Sequence, residues 1–314
     1  MERGRKKWSI YNENVVGYVF IFPWLAGFLC FTLVPFIMSF ILSFTNFNIL
    51  SPDTICWIGQ LCKLFTQDKL FLKSLFVTFK FAFISVPLRL IFALFVAMIL
   101  NRKSRAVPVY RVVYYLPSII GGSVAVSVMW RNLFTKSGVL NSILQAMGIN
   151  CKINWLGNTD TAIYVLILLY VWQFGSSMLI FLSGLKQIST SYYEAAEVDG
   201  AGKIRMFFSI TLPLLSPIIL FNLIMQIING FMVFTQAQII TGGGPVNETL
   251  VYILYLYQNS FKYYEMGYGS AMAWILLVIV GFFTAMVFRS SKQWVFYENN
   301  TDMASKKKKG VSRT

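Results

Sequence analysis

The sequence predicts an all-α integral membrane protein with about six membrane-spanning helices. Of its 314 residues, 57% are hydrophobic and only 12% are charged, and the mean hydropathy is +0.64. One water-soluble core cannot hide that much apolar surface, so the bilayer must act as solvent for much of the chain. Apolar runs of about 20 residues recur along the chain and lack the alternation of a membrane β-barrel.

Six runs have the length of a transmembrane helix. Each is predicted to be helical, because backbone polar groups in lipid must be satisfied within their own segment. The first run follows a basic stretch but is longer than a signal-peptide core and lacks a small-residue cleavage site, so it is predicted to stay as a span. The runs cover residues 16–40, 75–100, 112–133, 162–182, 214–234 and 267–288.

The distribution of basic residues predicts how the chain is oriented. We divide it into a basic N-tail over 1–14, a six-helix transmembrane domain over 15–289 and a basic C-tail over 290–314. The side that holds the termini carries 18 Lys and Arg and the other side 7, which leaves Lys80 and Arg89 within a span. This bias predicts that both termini are cytoplasmic. The lysine run 306–309 is interpreted as a disordered orienting end rather than a lipid-binding patch.

Several classes of chemistry are excluded or disfavoured by composition. The chain has no histidine, which removes the commonest general base and metal ligand. Its four cysteines form no C-x-x-C pair, so a structural zinc is not expected. Cys56 and Cys62 share a loop and are either bridged or unpaired. The net charge of +15 comes from clusters between apolar runs, which favours membrane orientation over nucleic-acid binding.

The loop at about 184–213 is predicted to form a shaped cytoplasmic knob. Ser191 and Glu194 have the spacing of a capping box, which predicts a short helix over 194–198. Gly200 and Gly202 are expected to end that helix. A second helical segment over 203–212 is expected to break at Pro213, where the chain enters the membrane.

This loop resembles a known family. Glu194-Ala195-Ala196, with Gly200 six residues after the glutamate and Pro213 closing the loop, is similar to the EAA loop of permease subunits of bacterial binding-protein-dependent ABC importers. The chain also resembles the carbohydrate-uptake branch of that family, of maltose-, lactose- or glycerol-phosphate-permease type. The resemblance is carried by residues 17–21, Pro35, 43–45, Arg111, 116–117, Gly138, Asn141 and 241–245. Where relatives commonly have a proline after Ile188, this chain has Ser189, which predicts a looser turn there.

The resemblance implies an ABC importer permease fold in a bacterial cell membrane and a non-catalytic subunit forming half of a translocation pathway. It implies a sugar or oligosaccharide delivered by an extracytoplasmic binding protein, a second homologous permease and a cytoplasmic ATPase dimer. ATP and Mg²⁺ would be bound by that ATPase, since Gly200 to Lys203 lacks Walker A spacing, and this chain would hold no cofactor. The implied coupling residues are Glu194, Ala195, Ala196, Asp199, Gly200 and Pro213.

Two alternatives stand beside this interpretation: a self-sufficient ion-coupled sugar carrier and a membrane-embedded enzyme. All 12 acidic residues lie outside the predicted spans. A proton-coupled carrier needs carboxylates within the membrane, so proton coupling is disfavoured, whereas sodium coupling stays open.

Polar side chains within the spans are candidates for the substrate pathway. The spacing of Asn222, Gln226 and Asn229 places them on one helical face, where their amides can bind sugar hydroxyls. Gln173 and Ser176 form a smaller patch beside Trp172, whose ring can stack on a pyranose. The alternative for all five polar residues is interhelical hydrogen bonding.

Arg89 lies deep in the second span without a carboxylate. It must face water, a helix C-terminus or an anionic substrate, or bind backbone carbonyls. On the other side of the membrane, the glycines of 241–245 predict a tight turn.

Overall fold

The computed structural model describes residues 13–48, 59–102, 105–149 and 153–296, and every regular element in these ranges is a helix. The chain divides into two compact units, residues 1–67 with 257–275 and residues 68–256 with 276–314. The N-terminal residues 1–12 and C-terminal residues 297–314 lie outside the described residues, as do Cys56, Cys151 and the side chain of Cys62.

The first unit is built around one apolar helical segment. Helices α1 (Glu13–Phe28) and α2 (Val34–Leu42) are joined by a π-helical turn over Leu29–Leu33, and α3 covers Gly59–Thr66. Trp274, in the part of the last helix that belongs to this unit, packs against Phe36 and Phe40 with ring centres 4.7 Å away from each. Its indole Nε1 donates to Ser39 Oγ. These contacts place the apolar face of α2 against Trp274.

The second unit begins with α4 (Lys69–Leu100), a helix of 32 residues whose N-terminus is capped by the Asp68 carboxylate. The cap accepts from the backbone amides of Leu70 and Phe71 at 2.9 and 3.0 Å, two of the donors that a helix start leaves without partners. The following helices are α5 (Val107–Ile120), α6 (Val124–Leu133), α7 (Val139–Ala146), α8 (Ala162–Trp172), α9 (Gly175–Leu185), α10 (Thr190–Val198), α11 (Lys203–Met206), α12 (Leu212–Phe231), α13 (Thr235–Ile240), α14 (Tyr252–Tyr257) and α15 (Met266–Trp294).

The predicted spans agree with the helices in four places and differ in two. Four continuous segments are long and apolar enough to cross a membrane, namely Val16–Leu42, Lys69–Leu100, Lys203–Ile240 and Met266–Trp294. The predicted third and fourth spans are not single helices, because α5 and α6 meet at 96° and α8 and α9 at 41°. Six spans result when each bent pair is counted as one.

The break between α5 and α6 has a local cause. Gly121 and Gly122 follow the last turn of α5, and glycine has the lowest helix propensity of any residue except proline. Ser123 then starts α6 by accepting the Val126 amide on its side-chain oxygen at 3.3 Å. The apolar pattern continues across this point, so hydropathy alone did not separate the two helices.

Pro213 does not end the helix that precedes it, contrary to our prediction. The backbone amide of Leu212 bonds to the carbonyl of Phe207, five residues back, which makes a π-helical turn over Phe207–Thr211. A proline ring collides with the carbonyl four residues before it, and a wider π turn relieves that crowding. Pro35 follows the π turn of the first unit in the same way. The helix therefore continues from α11 into α12.

Candidate functional site

Helix α10 lies in the loop between the α8–α9 pair and the span that contains α12. Its N-cap is Ser189, not the predicted Ser191: the Ser189 side chain accepts the Ser191 amide, and the two hydroxyl oxygens are 2.8 Å apart. Ser189 has φ −62° and ψ 137°, and this φ matches the value that a proline ring imposes. A proline at this position would therefore suit the same backbone, and the serine caps the turn with its side chain.

The end of α10 is a glycine C-cap of the Schellman type. The Ala201 amide bonds to the Ala196 carbonyl at 2.9 Å, and the Gly200 amide to the Glu197 carbonyl at 3.0 Å, which is the pair of bonds that defines this motif. Gly200 has φ +76°, and a Cβ added there would meet nothing within 4 Å. Glycine is therefore required by the backbone rather than by crowding, and the predicted elbow is confirmed.

The predicted coupling residues do not form one uniform surface. Glu194, Ala195, Asp199 and Gly200 are exposed, Ala196 is partly buried, and Pro213 lies apart from them in the first turn of α12. Tyr193 on the inner face ties α10 to the span, since its hydroxyl lies 2.9 Å from Thr211 Oγ1. Val198, at the end of α10, is 88% exposed. The helix thus presents most of its surface to its surroundings.

A second cluster of polar groups lies where α8 breaks from α9. The carbonyl of Gln173, just after α8, accepts hydrogen bonds from Arg89 Nη2 at 2.5 Å and from Ser118 Oγ at 2.8 Å. Arg89 is 7% exposed, and its guanidinium lies over the ring of Tyr170 at 4.6 Å. Arg89 therefore faces a helix C-terminus and a backbone carbonyl, two of the surroundings that its position in a span predicted. A cation there is favourable, because helix C-termini carry partial negative charge.

The two broken spans meet at this cluster. Gln173 Nε2 donates to the carbonyl of Gly121, which follows α5, at 3.2 Å. Ser118 Oγ also accepts the Ser176 amide at 3.0 Å. A Cβ at Gly175 would lie 2.4 Å from the Tyr114 carbonyl oxygen, so only glycine allows α9 to approach α5 this closely. We name Arg89, Ser118, Gly121, Gln173 and Ser176 the break junction.

The remaining pathway candidates are placed differently from one another. Gln226 and Asn222 are buried and Asn229 is exposed, so the three amides do not share one environment. Gln226 accepts from the Tyr170 hydroxyl at 3.1 Å. Both amide atoms of Asn222 are buried without a hydrogen-bond partner among the described residues. Trp172 is partly buried and its ring centre lies 5.6 Å from that of Trp130.

Sequence reasoning missed Tyr170, Ser118, Gly121 and Gly175. Tyr170 occurs in an apolar run and looks like an ordinary core residue, and Ser118 follows Pro117 without any motif. The two glycines did carry a signal, because each interrupts a long apolar run near a polar residue. Paired interruptions of this kind indicate breaks in membrane helices.

The turn at 241–245 is confirmed. Gly242 and Gly243 have φ of 61° and 93°, a region that glycine enters without strain. Thr249 closes the turn by donating from Oγ1 to the Gly244 carbonyl at 2.6 Å. Lys73 at the start of α4 donates to the Val246 carbonyl and pairs with Glu248 at 2.9 Å. The loop is therefore fixed to the first turns of α4.

No group of three or more Cys, Asp or Glu side chains within the described ranges is placed to hold a metal ion. Charged and polar groups instead gather at the break junction and around α10. Membrane-crossing helices, two of them broken, and an exposed helix followed by a glycine elbow together define a polytopic membrane protein.

The chain belongs to the family of binding-protein-dependent transport system inner membrane components, whose family model matches residues 58–292. It is 53% identical over 302 residues to the probable ABC transporter permease protein YesP of Bacillus subtilis, covering 95% of this chain and 97% of that protein. It is 32% identical to the trehalose/maltose transport system permease protein MalF of Thermococcus litoralis, covering 87% and 92% of the two chains.

The fold is also that of a solved transporter. A chain in the crystal structure of a bacterial alginate ABC transporter, in complex with an alginate pentasaccharide-bound periplasmic protein, superposes with a TM-score of 0.78. The match covers 92% of this chain and 98% of that chain at 19% identity. The protein is therefore a multi-pass permease subunit of a binding-protein-dependent ABC importer. Family membership sets aside the alternatives of a self-sufficient carrier and of a membrane enzyme.

Proposed function

We propose that this subunit forms half of the pathway for a sugar or oligosaccharide and is driven by a cytoplasmic ATPase dimer that docks on α10. A second homologous permease supplies the other half, and an extracytoplasmic binding protein delivers the substrate. Both termini and α10 lie on the cytoplasmic side. ATP and Mg²⁺ are bound by the ATPase, and this chain holds no cofactor.

The observation that carries the coupling role is the construction of α10. Both ends are capped by local groups, Ser189 at the start and Gly200 at the end, so backbone groups that a helix leaves without partners are satisfied at each end. No residue of α10 is buried, yet Val198 exposes an apolar side chain beside the exposed Glu194 and Glu197. A capped, exposed helix with mixed apolar and acidic groups is suited to insertion into a groove on a partner.

The sugar as substrate is supported by the relatives. MalF of Thermococcus litoralis is named for trehalose and maltose transport, and the alginate transporter was solved with an oligosaccharide-bound periplasmic protein. The described part of the chain offers amides and aromatic rings near the broken spans, which are the groups that bind sugar hydroxyls and stack on sugar faces.

Burial separates six of the seven candidate pathway residues into two roles; the seventh, Asn222, is buried without a hydrogen-bond partner among the described residues. A pathway between two permeases can only be lined by groups on the surface of each chain. Arg89, Gln173 and Gln226 are buried and bonded within the chain, so we assign them to interhelical hydrogen bonding. Trp172, Ser176 and Asn229 retain exposed surface and stay as the candidates for sugar contact.

The experiment is reconstitution of the importer with Glu194→Ala in this subunit. Glu194 is exposed and forms no hydrogen bond or ion pair with the described residues, so the substitution should leave folding unchanged. We expect weaker association with the ATPase, by about 1–3 kcal/mol if Glu194 makes a charge-assisted hydrogen bond, and loss of transport. Asp160→Asn, which removes an exposed carboxylate from the loop before α8, is the control. Wild-type transport and ATPase association in Glu194→Ala would refute the assignment of Glu194.

A further inference from the structure

A cleft of about 510 Å³ lies against the inner face of α10. Its walls come from the end of α4, the start of α5 and the turn that joins α9 to α10, all within the second unit. The volume falls within the range of about 300–1,000 Å³ that is typical of small-molecule sites. The mechanism proposed above makes no use of this cleft.

The charged groups of the cleft are all cations. Arg102, Arg111 and Lys186 line it, and no acidic residue does. None of the three makes an ion pair with a carboxylate in the described part of the chain. Arg111 is the most buried of the three residues. Its Nε is enclosed and has no hydrogen-bond partner in the described part of the chain. Arg111 as a whole is only partly buried and lines the cleft, so an anion that enters can reach the rest of its guanidinium and pair with a cation that has no carboxylate beside it.

The rest of the lining suits an anion attached to an apolar body. Thr190, in the first turn of α10, lies on one wall, where the helix start adds partial positive charge. Val107 and Leu185 supply an apolar wall. The cleft thus offers charge-assisted donors beside hydrocarbon, as basic pockets for lipid headgroups do.

We propose that this cleft binds the phosphate group of an anionic phospholipid of the inner leaflet, with Arg102, Arg111 and Lys186 as its ligands. The source of the phosphate rests on the topology proposed above, which places the cleft at the cytoplasmic surface of the membrane. The bound headgroup joins the α4–α5 side of the cleft to the first turn of α10. Lipid occupancy therefore holds the coupling helix against the spans.

The test uses the assembled importer in nanodiscs of phosphatidylcholine, with and without phosphatidylglycerol, and measures bound lipid by native mass spectrometry. Phosphatidylglycerol carries a net negative charge. In phosphatidylcholine, the choline cation cancels the negative charge of the phosphate. We expect Arg111→Gln to weaken retention of phosphatidylglycerol by about tenfold or more, the factor for one charge-assisted hydrogen bond. Arg102→Gln, at an exposed position where folding is not at risk, should weaken it in the same direction.

Arg105→Gln is the matched control, because Arg105 is exposed in the same short segment but does not line the cleft. It should bind lipid as wild type does. Equal retention in wild type, Arg102→Gln and Arg111→Gln would overturn the proposal. Retention of inorganic phosphate by the wild-type importer in phosphatidylcholine alone, lost in both arginine variants, would also overturn it, because the cleft would then bind free phosphate rather than a lipid.

These experiments distinguish a failure of the proposed lipid site from a failure of the proposed coupling role. Loss of ATPase association in Glu194→Ala with unchanged lipid retention would leave the lipid site intact. Conversely, unchanged lipid retention in Arg102→Gln and Arg111→Gln, with transport still dependent on Glu194, would remove the lipid site and leave the coupling role.

Discussion

Arg89 and Gln173 are 84 positions apart in the chain, and the guanidinium of the first donates a 2.5 Å hydrogen bond to the backbone carbonyl of the second. Gln173 follows α8 at the point where the helix breaks before α9, which leaves its carbonyl without a helical partner. The buried cation therefore satisfies a backbone group that the break exposes. It does so in a position where both an unpaired charge and an unpaired carbonyl would be costly.

The shared acceptor predicts that Arg89 and Ser118 are energetically coupled. Each donates to the Gln173 carbonyl, so Arg89→Gln and Ser118→Ala should each lower the stability of the purified importer, by about 1–3 kcal/mol for Arg89→Gln. The double variant should not show the sum of the single losses, since residues that share a partner are not additive. Thermal unfolding of the four proteins measures this coupling. Strict additivity would show that the carbonyl is not the common link.

Substrate charge should not matter to the Arg89→Gln variant. Because the guanidinium is buried and bonded within the chain, we expect uptake of an acidic sugar and of its neutral analogue to fall in the same proportion. Parallel uptake assays in cells that carry the variant give both values. A loss confined to the acidic sugar would mean that Arg89 leaves Gln173 to bind substrate, and would return Arg89 to the pathway.

Two adjacent glycines should respond differently to the same substitution. A Cβ at Gly121 would lie 2.4 Å from Gln173 Cγ and 2.5 Å from the Pro117 carbonyl oxygen, whereas one at Gly122 would meet nothing within 4 Å. Gly121→Ala should therefore destabilise the importer by about 1–3 kcal/mol, the usual cost of overpacking. Gly122→Ala should stay close to wild type. Thermal stability and transport decide between them, and equal effects would contradict the contact of Gly121 with Gln173.

The glycines of the elbow form another matched pair. Gly200 has φ +76° and Gly202 has φ −70°, and neither has a neighbour within 4 Å of an added Cβ. Alanine at 200 should cost about 1–2 kcal/mol of backbone strain, loosen the end of α10 and reduce the coupling of ATP hydrolysis to transport. At position 202, alanine is a poorer N-cap than glycine, but it also reduces the conformational freedom of the unfolded chain. Because these two effects offset each other, Gly202→Ala should keep ATP hydrolysis coupled to transport.

Gly200→Asp tests the same elbow as part of a docking surface. It adds a negative charge to an exposed position as well as a side chain at positive φ, so it should reduce both ATPase association and transport. Insertion into the membrane should be normal, because Gly200 lies outside the membrane-crossing segments. Normal transport with the ATPase bound as in wild type would show that the elbow does not contact the partner.

The proposed topology predicts which single cysteines react with an impermeant thiol reagent. In a background with the four native cysteines replaced by serine, Cys at Thr190 should be protected in intact cells, and Cys at Thr66 should be labelled. Cys at the exposed Lys262 is the second external position and should also be labelled. External labelling at position 190 would place α10 on the wrong side for an ATPase.

The sequence predicted the features that depend on neighbouring residues. Hydropathy sums over about 20 residues located the spans, because the cost of placing polar groups in lipid is nearly additive along a helix. The elbow at Gly200 was predictable for the same reason, since a helix end needs a residue that tolerates positive φ within one turn of its last carbonyls. The N-cap was misplaced by two residues because Ser189 and Ser191 both offer a suitable hydroxyl.

The break junction was decided by tertiary structure. Apolar composition does not distinguish a straight span from two helices at 96°, since both bury the same side chains in lipid. The carbonyl of Gln173 finds its donors at Arg89 and Ser118, 84 and 55 positions away, and nothing local specifies those partners. Periodicity placed Asn222, Gln226 and Asn229 on one face, but only the packing of α12 against α4 and α9 determined that two are buried and one is exposed. The sequence shows which side chains can form hydrogen bonds, whereas the partners of those side chains are determined only when distant helices pack together.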